Sequence, residues 1–293
     1  NVICPSADTL GKNFIVPWVG YIFDLQHKYL PEFFSEKEKN DRDKNILKIL
    51  NEANSVLVNS KFVKEGLKKF YNADLNKIFV LPFAPFLRNT SLLYENINLT
   101  DKQLPSKFFL ISNQFWYHKS HITAFYALKK LEEKHNIKDI HIVCTGNTFD
   151  YRQPDYFDYL KKEIYKLKID NRIHFLGFIP KHEQIAIMKK AIAVIQPTLF
   201  EGGPGGGAVY DALCLGVPSI VSDIDVNKEI CEDQVIFFKT KDYEDLAEKM
   251  HLLLTSENKK IEKETLLKIN AKREENFSKY LIDLIHMIIK NNF

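Results

Sequence analysis

Five of the chain's eleven glycines fall in one heptapeptide, EGGPGGG (201–207), after an apolar run and just before a helical one. Glycine lets a backbone approach a ligand closely, and free N–H groups at the start of the following helix are a natural seat for phosphate. On this reading Gly203, Gly205, Gly206 and Gly207 are ligand-binding positions. The pattern is neither GxGxxG in its usual strand–turn–helix setting nor a Walker motif, because no Lys-Ser/Thr follows. An acidic residue stands at either side, Glu201 before the glycines and Asp211 after them. A carboxylate accepts two hydrogen bonds from neighbouring hydroxyls, so sugar and ribose rings suit both. The third element is Lys119 in SNQFWYHKSH (112–121), where an ammonium could neutralise a diphosphate. His118 and His121 flank it, but a histidine pair without a third ligand does not make a zinc site. Phe115 and Trp116 read as packing residues. The plainer alternatives are a flexible surface turn for the glycines and a solvated helix residue for Asp211.

The elements that must position these groups alternate short apolar runs with helical stretches, the pattern of βα units and parallel sheets. Strands are expected at KFFLIS (107–112), DIHIVCTG (139–146), RIHFLG (172–177), IAVIQPT (192–198), VPSIVSD (217–223) and QVIFF (234–238). Helices are expected at 123–134, 154–167, 182–191 and 208–216, with a helical tail from Tyr243 onward. These six strands suffice for a doubly wound domain, whose ligands bind outside the carboxyl ends of the strands. Upstream, only SVLVNS (55–60) and KIFVLPF (77–83) read clearly as strands, with a third around FIVPWVGYIFD. That is thin for an independent α/β layer. The division expected is a partial N-terminal Rossmann-like domain over 1–90, a linker at 91–106, a second, ligand-binding Rossmann-like domain over 107–275, and a terminal helix at 276–293 packing back on the first domain.

Composition narrows the class. With 293 residues and 45% hydrophobic content the chain can bury a large core without disulfides or metals. A net charge of +3, from 41 basic and 38 acidic residues, is too even to imply nucleic acid as a partner. No run approaches 18 apolar residues, and the first residues lack the layout of a signal peptide. Cys4, Cys144, Cys214 and Cys231 stand far apart with no CxxC pair, which fits a reducing cytoplasm. Lys61, Lys64, Lys68 and Lys69 share one helix and could touch an anionic membrane surface, although a solvated face is the plainer explanation.

Taken together, NQFWYHK (113–119), FLGFIP (175–180), FEGGPGGGAVYDALCLGVPSIVSD (200–223) and NKEI (227–230) resemble the C-terminal domain of bacterial family-4 (group 1) retaining glycosyltransferases. YIFDLQHKYLPEFFS (21–35) and VLVNSKFVKEGLKKFY (57–71) resemble the later half of that family's N-terminal, acceptor-side domain. The resemblance implies an α/β fold of GT-B type with two Rossmann-like doubly wound domains, the N-terminal one incomplete. It gives Glu201 the transferred sugar, Asp211 the ribose, Lys119 the phosphates, and the backbone of Phe178 and Ile179 the base. Gln114 and Gly146 complete the donor-binding positions, and Glu201 and Lys119 are the catalytic pair. Three departures stand out. Nine residues separate the acids instead of seven, with Asp for Glu in second place. Gln114 replaces the arginine usual five residues before the lysine. Phe23 precedes Asp24 where a histidine is common, and His27 is a candidate substitute.

The activity implied is transfer of a hexose from a nucleoside diphosphate sugar to a hydroxyl with retention, in surface polysaccharide or glycoconjugate synthesis. No cofactor and no metal are expected, since no Asp-x-Asp pair stands in a suitable place. The partners expected are the donor and a saccharide or lipid-linked saccharide acceptor, with the enzyme cytoplasmic and peripheral contact with the membrane's inner face left open. Two other readings fit the same motifs: a nucleotide-sugar epimerase, and a nucleotide-sugar-binding domain without transferase activity.

Overall fold

The computed structural model describes residues 3–84, 97, 99, 102–256 and 261–292. Residues 91–96, 98, 100 and 101 of the expected linker lie outside the described residues. The chain divides into two compact units, one of 1–84, 200–206 and 272–293, the other of 85–199 and 207–271.

The first unit is built on a four-stranded parallel sheet in the order β1(Ile3–Ser6), β2(Trp18–Ile22), β3(Ser55–Val58), β4(Ile78–Val80). The sequence suggests two of these strands firmly and β2 more weakly. β1 escapes it because ICPS is short and mostly exposed, with no apolar run to betray it. A short helix, α1(Gln26–Tyr29), precedes α2(Glu36–Glu52), to which the sequence reading assigns no element. Its charge-rich sequence hides the periodicity, yet Ser35 and Glu38 form a reciprocal capping box at its start. α3(Lys61–Tyr71) is capped by the Ser60 hydroxyl, which accepts from the Val63 N–H. Trp18, Ile22, Leu25, Ile49, Val58 and Leu67 make the core.

Six parallel strands form the second unit's sheet: β5(Phe108–Ser112), β6(His141–Thr145), β7(Ile173–Phe175), β8(Val194–Gln196), β9(Ser219–Ser222) and β10(Val235–Phe238). All six lie where the apolar runs put them. These runs are continuous because helices cover both faces of the sheet. Around it stand α4(His121–His135), α5(Tyr156–Lys166), α6(Lys181–Met188), α7(Gly206–Cys214) and α8(Tyr243–Thr255). The strand order is β10-β9-β8-β5-β6-β7. The chain therefore winds outward from β5 through β6 to β7, then restarts beside β5 and winds the other way. That reversal between β5 and β8 is the topological switch point at which doubly wound sheets open a crevice. The last helix, α9(Lys263–Asn292), places Leu284 and Ile288 against Val19 and Leu57 of the first unit. Among the described residues no helix is long and apolar enough to cross a membrane.

Candidate functional site

Because the strands are parallel, their carboxyl ends share one edge, and the loops after β5 and β8 meet at the switch point. Hydrogen bonds fix the meeting. The Leu199 N–H donates to the His118 carbonyl at 2.7 Å, and the Thr198 hydroxyl donates to the same oxygen at 3.2 Å. Asn113 donates its side-chain amide to Gln196, the buried last residue of β8. Lys119 ends a single 3-10 turn, Tyr117–Lys119, and Ser120 then takes a left-handed φ of 51° to start α4. The residue after His118 is thus pinned at the rim of the crevice by the strand beside its own. The turn at His118 and the end of β8 thus come to one edge of one sheet.

The floor of the crevice is polar and internally satisfied. The Ser112 and Thr145 hydroxyls are 2.9 Å apart, and Gln184 of α6 donates to Ser112. The Ser222 hydroxyl donates to the Thr198 carbonyl at 2.6 Å, and the Asn227 amide donates to the Ser222 carbonyl at 2.9 Å. Buried polar groups that are paired in this way hold a single arrangement. Gly146 closes one side. Its N–H donates to the Gly177 carbonyl at 2.8 Å, its φ is 137°, and a Cβ there would lie 2.1 Å from the Asn113 carbonyl oxygen. Only glycine lets the loops after β5 and β6 come this close.

Charge near the crevice is shaped by burial. His118 and His121 are both buried. Burial first, and then the neighbouring Lys119 charge, pushes their rings down from 6.5 to about 2 and about 3. Both stay neutral, so the positive charge on this turn is that of Lys119. His121 stacks on the core ring of Phe115, with centroids 4.2 Å apart. Trp116 lies beneath Arg152, whose guanidinium carbon is 5.0 Å from the ring centroid. Arg152 is in turn held by the buried Asp150 through bonds of 3.0 and 3.1 Å. This Asp150–Arg152–Trp116 brace between two loops is absent from the sequence reading, since nothing in the sequence ties residue 152 to residue 116.

The remaining positions divide between the units. Asp211 lies on α7, its side chain 16% exposed and ion-paired to Lys181 at the start of α6. That partner escapes a sequence reading for the same reason. Phe178 is 83% exposed in the loop after β7, and Ile179 packs toward Ala208 and Ala212 of α7. Gln114 is exposed in the loop after β5. Gly205 and Gly206 have φ values of 65° and 64°, which call for glycine. Gly207, exposed in the first turn of α7, would have no heavy atom within 4 Å of an added Cβ.

Segment 200–206, including Glu201, groups with the first unit. There Phe200 meets Tyr29 and Phe62, and the Ser60 hydroxyl donates to the Gly202 carbonyl at 3.0 Å. A Cβ at Gly202 would lie 2.4 Å from the Phe23 carbonyl oxygen, and one at Gly203 would lie 2.4 Å from the Phe83 ring. Packing against backbone therefore demands glycine at 202, whereas at 203 the half-exposed Phe83 ring would have to move. His27 is buried with both ring nitrogens engaged. Arg42 donates to Nδ1 at 3.1 Å, which leaves Nε2 as the N–H facing Asp43 at 2.9 Å. Burial, opposed by the Asp43 hydrogen bond, lowers its affinity for a proton. These contacts give His27 a structural place in the first unit.

Known proteins are similar in sequence and in fold. The family model described as glycosyl transferases group 1 matches residues 95–274. The O-antigen chain mannosyltransferase RfbU of Salmonella typhimurium is 26% identical over 226 residues, covering 75% of this chain and 56% of that protein. An uncharacterized glycosyltransferase of Methanocaldococcus jannaschii is 27% identical over 190 residues, 63% of this chain and 46% of that one. The chain thus spans about half the length of these curated relatives. Among solved structures, HepE of Anabaena in complex with UDP and glucose superposes with a TM-score of 0.70 at 15% identity, covering 92% of this chain and 72% of that one. Sucrose-phosphate synthase of Thermosynechococcus elongatus gives 0.69 at 18% identity, covering 95% and 69%. Likeness of this extent shows the fold, the GT-B type expected from the sequence.

Proposed function

This chain belongs to the glycosyl transferases of group 1, and from that premise we propose that it moves a hexose from a nucleoside diphosphate sugar to a saccharide hydroxyl with retention of configuration. The observation that carries the reading is the pair of hydrogen bonds from residues 198 and 199 to the His118 carbonyl. They support placing the lysine-bearing turn beside the end of β8 at the switch-point crevice.

In this reading the diphosphate lies between the Lys119 ammonium and the backbone N–H groups at the start of α7. Negative charge grows on the departing phosphate oxygen as the sugar leaves, and a fixed cation and fixed dipoles stabilise that charge without having to reorganise. Loss of one such group costs about 3 kcal/mol, roughly a hundredfold in rate. The Asp211 carboxylate accepts hydrogen bonds from the ribose hydroxyls, beside its ion pair with Lys181. Glu201, two residues beyond Leu199, takes hydroxyls of the transferred sugar. The Phe178–Ile179 backbone borders the base. Charge compensation by Lys119 and α7 lets the reaction run without a divalent ion. The similarity to RfbU makes a mannose donor the first to test, and the UDP and glucose held by HepE make UDP-glucose the second. The proposed acceptor is a saccharide, free or lipid-linked, in surface polysaccharide synthesis, with the enzyme at the cytoplasmic face of the membrane.

The test is to incubate the whole chain with GDP-, UDP- and dTDP-hexoses, with and without oligosaccharide acceptors and with EDTA present throughout, and to follow products by mass spectrometry and anomeric NMR. An acceptor one hexose heavier, with the donor's anomeric configuration, is expected from wild type, and Glu201→Gln should lose most of that turnover. Donor isomerised without acceptor would point instead to an epimerase, and donor bound but never consumed would point to a binding module.

A further inference from the structure

We propose that His135, Glu248 and His251 form a binding site for one divalent transition-metal ion, Zn2+ in the first instance, fastening α4 to α8. The donor atoms these three residues offer all lie within 4.8 Å of one another. Glu248 and His251 are three apart on α8 and so share a face. His135 is the last residue of α4. The two helices are already locked together by core residues that include Leu128 and Leu131 on α4 and Leu246 and Met250 on α8. The ligands therefore come from rigid elements, and metal binding would not have to order the backbone.

An ordinary ion pair accounts for two of the three residues, since His135 Nε2 is 3.0 Å from Glu248. It does not account for the third. His251 lies flat on His135, with centroids 3.7 Å apart and an interplanar angle of 15°, and its ring makes no hydrogen bond among the described residues. Two stacked imidazoles repel if both are charged. When neutral, each carries a lone pair for a metal. The Glu248 carboxylate, within 2.7 Å of Lys134 and 3.0 Å of His135, supplies the oxygen ligand. Two imidazoles and one carboxylate are the ligand set of open tetrahedral zinc sites, with water in fourth place. At metal–ligand bonds of about 2.1 Å the ligand atoms of such a site stand about 3.4 Å apart. From 4.8 Å or less the ligand atoms must close in, and the two stacked rings must turn so that both lone pairs face one ion. Lys134 holds Glu248 at 2.7 Å and must release it, so the affinity should be moderate.

The site is remote from the crevice. α4 runs back from the carboxyl edge of the sheet, and fourteen residues at 1.5 Å each put His135 about 21 Å along it from His121. The proposed ion is therefore a clasp within the second unit and takes no part in sugar transfer.

The test uses the whole chain, without an affinity tag and stripped with chelator, titrated with zinc chloride by calorimetry near pH 7.5. Cys4 and Cys231 are exposed thiols, so both are replaced by serine in the titrated background. One saturable site per chain in the micromolar range is expected, with Tm rising by a few degrees at a hundredfold excess over Kd. Co2+ should bind with a visible spectrum free of thiolate-to-metal charge transfer. His251→Gln and Glu248→Gln, each verified as folded by circular dichroism, should weaken binding at least tenfold, and His135→Ala/His251→Gln should abolish it. Absence of saturable binding in the thiol-free background, or equal affinity in folded His251→Gln, would overturn the proposal.

Discussion

Gly207→Ala separates what the fold needs from what a ligand needs. The residue is the second of α7, its φ is not left-handed, and a Cβ would meet no heavy atom within 4 Å. The fold therefore gives no reason to keep glycine there. Alanine should stabilise the helix by up to about 1 kcal/mol, and nearer half that in the first turn. In a chain of this size that raises Tm by about 1–2 °C. The donor reading gives a different answer. If a phosphate oxygen approaches the first N–H groups of α7, a methyl group at 207 occupies the space it needs. An obstruction of this kind costs about 1–3 kcal/mol, a weakening of roughly 5- to 150-fold in Kd. The assay is calorimetric titration of both proteins with whichever nucleoside diphosphate sugar stabilises wild type, alongside thermal melts. A variant at least as stable as wild type but markedly weaker for donor is the expected result. Equal affinity in the two proteins would refute the idea that phosphate sits at the start of α7.

Gly146→Ala should behave in the opposite way, losing several kcal/mol of stability in a urea melt, because its φ of 137° and a 2.1 Å approach to the Asn113 carbonyl leave no room for a methyl; an unchanged midpoint would contradict the loop packing. Lys181→Ala should change donor affinity less than about fivefold, since a half-exposed ion pair is worth at most about 1 kcal/mol, whereas Asp211→Ala should cost more than tenfold through lost charged hydrogen bonds to ribose; comparable effects in titrations of the two variants would mean that the lysine itself grips the donor. Acid should destabilise the second unit through its buried histidines. His118 and His121 bind protons near 6.5 when unfolded but only at about 2 and about 3 when folded, so the unfolded state takes up more protons between those limits. Their contribution is complete above pH 6.5 and is lost as pH falls, by up to about 2 kcal/mol each at pH 5. Urea midpoints from pH 7 to 5 should show this loss, with a shallower slope in His121→Phe; an identical slope would remove the histidine from the account.

Much of the second unit is written in its sequence because parallel strands buried on both faces must be continuous apolar runs, and Phe108–Ser112 through Val235–Phe238 are such runs. Their order follows from the fold rule for doubly wound sheets. That order puts β5 beside β8, so the switch-point edge shared by the turn at His118 and the end of β8 could be expected from the strand pattern. The first unit is harder to read for local reasons. β1 is four mostly exposed residues, and α2 carries its start signal in Ser35 and Glu38 while its charges obscure the apolar stripe. The braces of the crevice are harder still. Asp150–Arg152 over Trp116, Gln184 on Ser112 and Lys181 on Asp211 join residues far apart in the chain, and no spacing rule announces such pairs. His135 meets Glu248 and His251 for the same reason, only once α4 and α8 pack. The glycine loop is the instructive case. Read as a single ligand-facing motif, it divides into Gly202, which backbone packing fixes, Gly205 and Gly206, whose positive φ calls for glycine, and Gly207, which packing leaves free.

The claim on which the rest depends is that the crevice between β5 and β8 holds a nucleoside diphosphate sugar. Backbone amide NMR of the 34.2 kDa chain, titrated with UDP- and GDP-hexoses, tests it most directly. The expected result is a saturable set of shifts confined to residues 113–119, 145–147, 177–181 and 201–211, absent in Lys119→Ala at the same donor concentration. Shifts centred elsewhere on the chain, or an undiminished response in that variant, would contradict it.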